Sequence, residues 1–144
     1  IYTSWTRLDT QKKLLLDLEQ EGIPTELMTP SVTPAKREAW LANKAANGMR
    51  VLIANPSLIE TGIDLNMFTT LIFYNVNYNP FTLRQASRRS WRINQTALRI
   101  EVYFFYYIGT VQERALHLMA TKLAAAGIIE GHISDGGLAA LSEC

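Results

Sequence analysis

The chain has 144 residues, is 48% hydrophobic and 19% charged, and carries a formal net charge of +1. That length suits one compact domain with a real core, and the near-neutral total does not by itself announce a nucleic-acid binder. No apolar run reaches the length of a membrane span, no signal peptide is visible, and a single cysteine, Cys144, excludes an internal disulfide.

Apolar runs and helical patterns alternate along the chain. Ile1 to Ser4 reads as the end of a first strand, and Thr10 to Gln20 as a helix with Leu14, Leu15 and Leu18 forming a core stripe. Ile23 to Met28 suits a short strand. Thr33-Pro34 opens a second helix, with Thr as cap and Pro in the first turn, and Asn47-Gly48 ends it. Met49 to Ala54 and Thr70 to Asn75 read as strands. Asn79-Pro80 repeats the cap-then-proline start, and the helix behind it carries the arginines. Ile100 to Ile108 looks like a long strand. Thr110-Val111-Gln112-Glu113 is a capping box, and its helix is expected to reach Ala126 and stop at Gly127. The division that follows is residues 1–126 as the folded lobe and 127–144 as an extension of unread role. Strands alternating with helices predict an α/β fold: a mostly parallel sheet with helices on both faces. Functional groups then belong in the loops beyond the carboxyl ends of the strands.

Charge distribution is more telling than its total. No acidic residue occurs between Asp64 and Glu101, yet Arg84, Arg88, Arg89, Arg92 and Arg99 fall in that interval. On a helix Arg88 and Arg92 are neighbours and repel. Guanidinium groups crowded without local neutralisation suit an anion, and their planar forks match phosphate oxygens. His117 and His132 are isolated and read as a helix-surface and a loop imidazole, and no Cys/His metal spacing exists. Cysteine usage makes a reducing, cytoplasmic setting the default. The chain opens on Ile1 directly into a strand-like run, as expected of a domain from a larger protein.

Several segments, taken in order, resemble the second RecA-like lobe of superfamily 2 helicases and translocases, and most of all the Swi/Snf-type branch. Gln85, Ala86, Arg89, Arg92, Ile93 and Gln95 match the motif VI signature of that branch. Thr61-Gly62-Ile63-Asp64-Leu65 resembles motif V, and Thr33-Pro34-Ala35-Lys36-Arg37 resembles the start of the helix before it. Tyr74 to Pro80 resembles the strand-to-helix link, and Gly109 to Glu113 the start of the closing helix. Each motif is weak alone; the ordered set, from Ile1 to about Lys122, is specific. The chain departs from the family pattern at Arg88, Trp91, Asn94 and Thr29-Pro30.

The resemblance implies a RecA-like fold and a C-terminal lobe of an ATP-dependent DNA helicase or translocase. Arg89 and Arg92 match the positions that reach the β- and γ-phosphates, and Gln85 would help place nucleotide and water. Gly62 and Asp64 match motif V groups on the nucleotide side. Ser4, Trp5, Thr6, Thr61 and Arg88 stand where the family meets the nucleic-acid backbone. ATP and Mg2+ would be held mainly by a first lobe, since no phosphate-binding loop or acidic pair occurs in this chain. The parent protein is expected to be an ATP hydrolase stimulated by nucleic acid, and this lobe alone to be inactive. Its expected partners are the N-terminal RecA-like lobe of the same protein and DNA, preferred over RNA through the branch resemblance alone; no membrane is expected. The alternative from another class is a degenerate lobe kept as an interaction or scaffold module. A stand-alone phosphate-binding domain is disfavoured by the absence of a glycine-rich strand-to-helix loop.

Overall fold

The computed structural model describes residues 1–4, 9–59, 63–75, 85–86, 89–90 and 95–129. Its elements in chain order are α1 (Thr10–Gln20), β1 (Thr25–Met28), a 3₁₀ turn (Pro34–Lys36), α2 (Arg37–Ala46), β2 (Val51–Ala54), α3 (Pro56–Ile59), β3 (Thr70–Phe73), β4 (Glu101–Phe104) and α4 (Val111–Ile129). Strands β1 and β2 pair in parallel, as do β3 and β4. The opening segment lies between the two pairs, because Tyr2 bridges in parallel to both Ala54 and Phe73. Its backbone bonds alternate sides as those of a central strand must: Thr3 N donates to Ala54 O at 3.1 Å, and Tyr2 N donates to Ile72 O at 2.7 Å. From this middle position the chain passes to the outer strand β1, returns inward to β2, then crosses to β3 and out to β4. This is the RecA-like α/β arrangement, with a topological switch point beside residues 1–3.

Burial explains the pattern. Leu52, Ile53 and Ala54 are consecutive and all buried, as are Tyr2 and Thr3. Neighbouring strand residues point to opposite faces, so the middle of the sheet is covered on both. The parallel register also lines up Met28, Ala54, Tyr2, Phe73 and Phe104 in one row across the sheet. Within it the Tyr2 and Phe73 rings lie 5.1 Å apart, and Phe73 stacks on Phe104 at 5.0 Å with 10° between planes. Trp40 of α2, Leu58 of α3 and Leu123 of α4 pack against this core.

Several expectations are corrected. No residue of α1 is fully buried: Leu14, Leu15 and Leu18 are half-buried and Leu16 is 56% exposed, so the stripe borders the core rather than forming it. Thr33 has the extended backbone of a cap but makes no side-chain cap bond, and a 3₁₀ turn precedes α2. The last strand ends at Phe104, well short of Ile108, and the apolar run continues as exposed loop from Phe105 to Ile108. Helix α4 runs through Gly127 to Ile129. A lone glycine weakens a helix by about 1 kcal/mol, which need not break it. The capping box is shifted by one residue: Gln112 N donates to Thr110 Oγ1 at 3.2 Å, and Gly109 N donates to Glu113 Oε2 at 2.7 Å. Helix α3 was not anticipated, although Asn55-Pro56 carries the same cap-then-proline signal as Thr33-Pro34. Asn55 Oδ1 accepts from Ser57 N at 3.0 Å and Ser57 Oγ at 2.9 Å.

The row makes a sharp prediction. Phe73→Ala removes a fully buried ring with aromatic neighbours on both sides, and should cost about 3–5 kcal/mol in denaturant unfolding. Val102→Ala, on the exposed edge strand, should stay within about 0.5 kcal/mol. Equal losses would mean that the aromatic row does not anchor the sheet.

Candidate functional site

The carboxyl ends of the central segment, β2 and β3 open onto one side of the sheet, and polar groups gather there. Asn75, buried just after β3, holds Ser4 twice: Ser4 N donates to Asn75 Oδ1 at 3.0 Å, and Asn75 Nδ2 donates to Ser4 Oγ at 2.9 Å. Gln11 of α1 donates to the carbonyl of Thr3 at 3.1 Å. Ser4 is thereby fixed at the switch point, and a satisfied buried amide is what keeps it there. Sequence reading named Ser4 but missed Asn75, whose signal was a polar residue closing an apolar strand.

The second part of the site joins the chain around Asp64 to the chain around Arg89. Leu65 N donates to Arg89 O at 3.0 Å. Gln95 closes the junction with its whole side-chain amide: Nε2 donates to Asn66 O at 2.9 Å and to Ser90 O at 2.8 Å, and Oε1 accepts from Ala97 N at 2.9 Å. Asp64 is half-buried between Ile63 and Leu65, both fully buried. Residues 64–66 and 89–90 are thus bound into one unit.

Tyr2 ties this unit to the sheet. Its hydroxyl donates to Ala86 O at 3.3 Å, and the same carbonyl accepts from Arg89 N at 3.3 Å. Arg89 therefore stands in a turn. Expectation had placed it on a helix, but only Gln85 and Ala86 are helical among the described residues of this stretch. The Arg89 carbonyl accepts from Leu65 N across the site. The Arg89 guanidinium reaches Gln85 Oε1 at 3.5 Å. Burial pushes the Tyr2 phenol above its ordinary range, and the Arg89 charge beside it pulls it partly back.

Of the expected site residues, Ser4, Asp64, Gln85 and Arg89 are placed at this end of the fold. Trp5, Thr6, Thr61, Gly62, Arg88 and Arg92 lie outside the described residues. Among the described residues no three His, Cys, Asp or Glu side chains come together as a metal site, and no helix is long and apolar enough to cross a membrane. What the arrangement offers is a guanidinium and an amide side by side, on a backbone turn held to its neighbours, at the mouth of a parallel sheet. That chemistry binds phosphate or carboxylate oxygens.

The chain is similar to known proteins in sequence and in fold. Residues 1–94 match the family described as helicase conserved C-terminal domain. The chain is 32% identical over 93 residues to the DNA excision repair protein CSB of Oryza sativa, covering 63% of this chain and 8% of that protein. It is 31% identical over 124 residues to the protein CHROMATIN REMODELING 4 of Arabidopsis thaliana, covering 85% of this chain and 6% of the relative. It thus spans less than a tenth of either relative. The crystal structure of the C-terminal part of the Fun30 ATPase domain superposes with a TM-score of 0.72 at 19% identity, covering 82% of this chain and 37% of that one.

The Tyr2 bond yields a pH test. An exposed phenol ionises near 10, whereas the buried one keeps its proton to higher pH. The unfolded state therefore releases protons first, and this contribution to stability is lost as pH rises past 10. Tyr2→Phe should cost about 0.5–1.5 kcal/mol at neutral pH through the lost hydrogen bond. Its stability should then fall less steeply than wild type between about pH 9 and pH 11. Parallel declines over that range would show that the phenol is not buried as described.

Proposed function

Because this chain belongs to the helicase conserved C-terminal domain family, as the second RecA-like lobe of a superfamily 2 protein of the Swi/Snf-type branch, we propose that it is the arginine-supplying half of an ATP-driven DNA motor. The observation that carries this reading is the turn at Arg89, pinned by Tyr2 from below and by Leu65 and Gln95 from the side. A guanidinium meant for a transition state must be held in place beforehand, because ordering it during the reaction would cost rate.

The residues present fit a nucleotide phosphate. Gln85 and Arg89 put an amide and a guanidinium side by side, and both groups can donate to phosphate oxygens. With Arg92 they would meet the β- and γ-phosphates from this lobe, and Gly62 and Asp64 would complete the nucleotide side. Mg2+ and most of the triphosphate would belong to the N-terminal RecA-like lobe, the first partner in this reading. Hydrolysis of ATP supplies the free energy for cyclic closure of the two lobes. Within that cycle Arg89 and Arg92 stabilise the charge that grows on the departing phosphoryl group. Gln85 orients it, and the junction of residues 64–66 with 89–90 keeps the arginine side and the motif V side moving together.

The nucleic-acid track runs over Ser4, Trp5, Thr6, Thr61 and Arg88 in this proposal. Contacts there go to the phosphate backbone and are blind to sequence. DNA is the proposed partner by likeness to relatives whose names refer to DNA repair and chromatin remodelling. The setting proposed from cysteine usage remains a reducing one such as the cytoplasm.

In the full-length parent, Arg89→Ala or Arg92→Ala should lower nucleic-acid-stimulated ATP hydrolysis by about a hundredfold or more, with much smaller loss of nucleic-acid binding. Wild-type turnover in both variants would remove the arginine assignment. Thr61→Val keeps side-chain shape and deletes a hydroxyl, so the ratio of DNA-stimulated to basal hydrolysis should fall by about tenfold at fixed salt. An unchanged ratio would put the DNA path elsewhere on the lobe.

A further inference from the structure

The bridge between Tyr2 and Phe73 sets the register of the central segment against β3, and two residues further along each stand Ser4 and Asn75. Side chains two apart along a strand share a face. Ser4 and Asn75 are therefore the next cross-strand pair beyond the aromatic row, just past the carboxyl end of β3. The backbone of this corner is fixed on three sides: Thr3 N donates to Ala54 O at 3.1 Å, Gln11 Nε2 donates to Thr3 O at 3.1 Å, and Ser4 N donates to Asn75 Oδ1 at 3.0 Å. The last of these bonds fixes the direction of the amide. A backbone N–H can only donate, so the atom facing it must be the oxygen, and Nδ2 then faces Ser4 Oγ at 2.9 Å. Nδ2 can only donate in turn, so Ser4 Oγ accepts that bond and keeps its own hydrogen. Among the described residues no acceptor takes this hydrogen. Ser4 is half-buried, whereas Asn75 is only 5% exposed. The pair thus ends in one hydroxyl donor at the switch point, its oxygen held from behind.

We propose that Asn75 is a positioning residue: by occupying the Ser4 oxygen it leaves the Ser4 hydroxyl as a fixed donor to one phosphate oxygen of the nucleic-acid backbone. This rests on the reading of Ser4 as part of the nucleic-acid track. Asn75 is buried, touches no nucleic acid, and acts through Ser4. A serine hydroxyl is ordinarily free to rotate and can give a bond or take one. Met by a donor, it is left to give one, and a phosphate oxygen only accepts. The polarity belongs to the amide. A carboxylate in the same place would accept from Ser4 N with one oxygen and from the Ser4 hydroxyl with the other. The corner would keep its shape, yet the hydrogen offered to the phosphate would be turned inward. Asn75→Asp therefore separates holding Ser4 from directing it.

The test uses the full-length parent and a fluorescently labelled DNA duplex, with binding followed by anisotropy at fixed salt. Ser4→Ala, Asn75→Asp and the double variant form a cycle. Ser4→Ala should raise the dissociation constant for DNA about tenfold, as expected for one lost hydrogen bond to a charged acceptor. Asn75→Asp adds a negative charge as well as turning the hydroxyl, and that charge acts whether or not Ser4 keeps its hydroxyl. Its cost should therefore be about tenfold smaller in the Ser4→Ala background, and the difference isolates the hydrogen that the amide directs. Equal costs in the two backgrounds overturn the inference. A rise in the KM for ATP in Ser4→Ala, with DNA affinity unmoved, puts the hydroxyl on a nucleotide phosphate and overturns it too. Ser4→Ala keeps the backbone bond to Asn75, so it decides even if Asn75→Asp does not fold: wild-type DNA affinity in Ser4→Ala overturns the inference by itself. If the wild-type parent binds no DNA, the nucleic-acid reading falls and takes this inference with it; tight wild-type binding with an additive cycle removes the inference alone.

Discussion

The constraint on which the rest depends is the burial of Tyr2 and Thr3 in the middle of the sheet. A central parallel strand must satisfy its backbone on both sides and its side chains on both faces. Tyr2 does so by bonding β3 through its amide, packing its ring on Phe73, and sending its hydroxyl to Ala86. A phenylalanine there would fill the same row of the core but leave the Ala86 carbonyl with the Arg89 amide alone. One side chain thus belongs both to the apolar row that stabilises the sheet and to the polar turn that presents an arginine. Burial keeps that phenol neutral over the working pH range, so the link does not titrate with the site above it.

The polar groups above the row show a common device. Asn75, Asn55 and Gln95 are amides, and in each case the side chain bonds backbone or a short hydroxyl rather than a charge. An amide donates and accepts at once, so it can join two loops without carrying a charge that would need neutralising. Gln95 shows it best, since both amide hydrogens and the oxygen are used to join residues 66, 90 and 97. Arg37 is the exception among these struts, and it is buried away from solvent where its charge faces backbone carbonyls.

Sequence reading recovered what periodicity and composition encode. Helix α1 has the expected bounds, and the strands fall where short apolar runs lie, trimmed at their ends. The alternation of these elements was enough for the fold class, because parallel strands need crossovers. Where reading failed, a distant partner decided the outcome. The run from Phe105 to Ile108 has strong strand propensity, but propensity cannot say that the pairing with β3 is used up at Phe104. Arg89 stands in a turn rather than in the helix expected of it, and its carbonyl accepts from Leu65 N, a partner 24 residues away in sequence. Asn75 and Arg37 looked like ordinary polar residues, since their partners, Ser4, Val32 and Leu58, are set by tertiary contact alone. Motif order pointed to the carboxyl end of the sheet, and packing decided which atoms are joined there.

This separation of roles accounts for how far the sequence has drifted from its relatives while keeping their fold. An apolar row tolerates exchange among side chains of similar volume, so identity can fall to 19% while the backbone still superposes at a TM-score of 0.72. The struts are less forgiving, because each needs a particular donor at a particular distance from a backbone atom. Arg88, Trp91 and Asn94, where the chain departs from the Swi/Snf-type pattern, lie outside the described residues. The atoms that fix the arginine turn to the sheet leave fewer alternatives, since replacing one removes a hydrogen bond at a particular backbone atom, as loss of the Gln95 amide would at Asn66 O and Ser90 O.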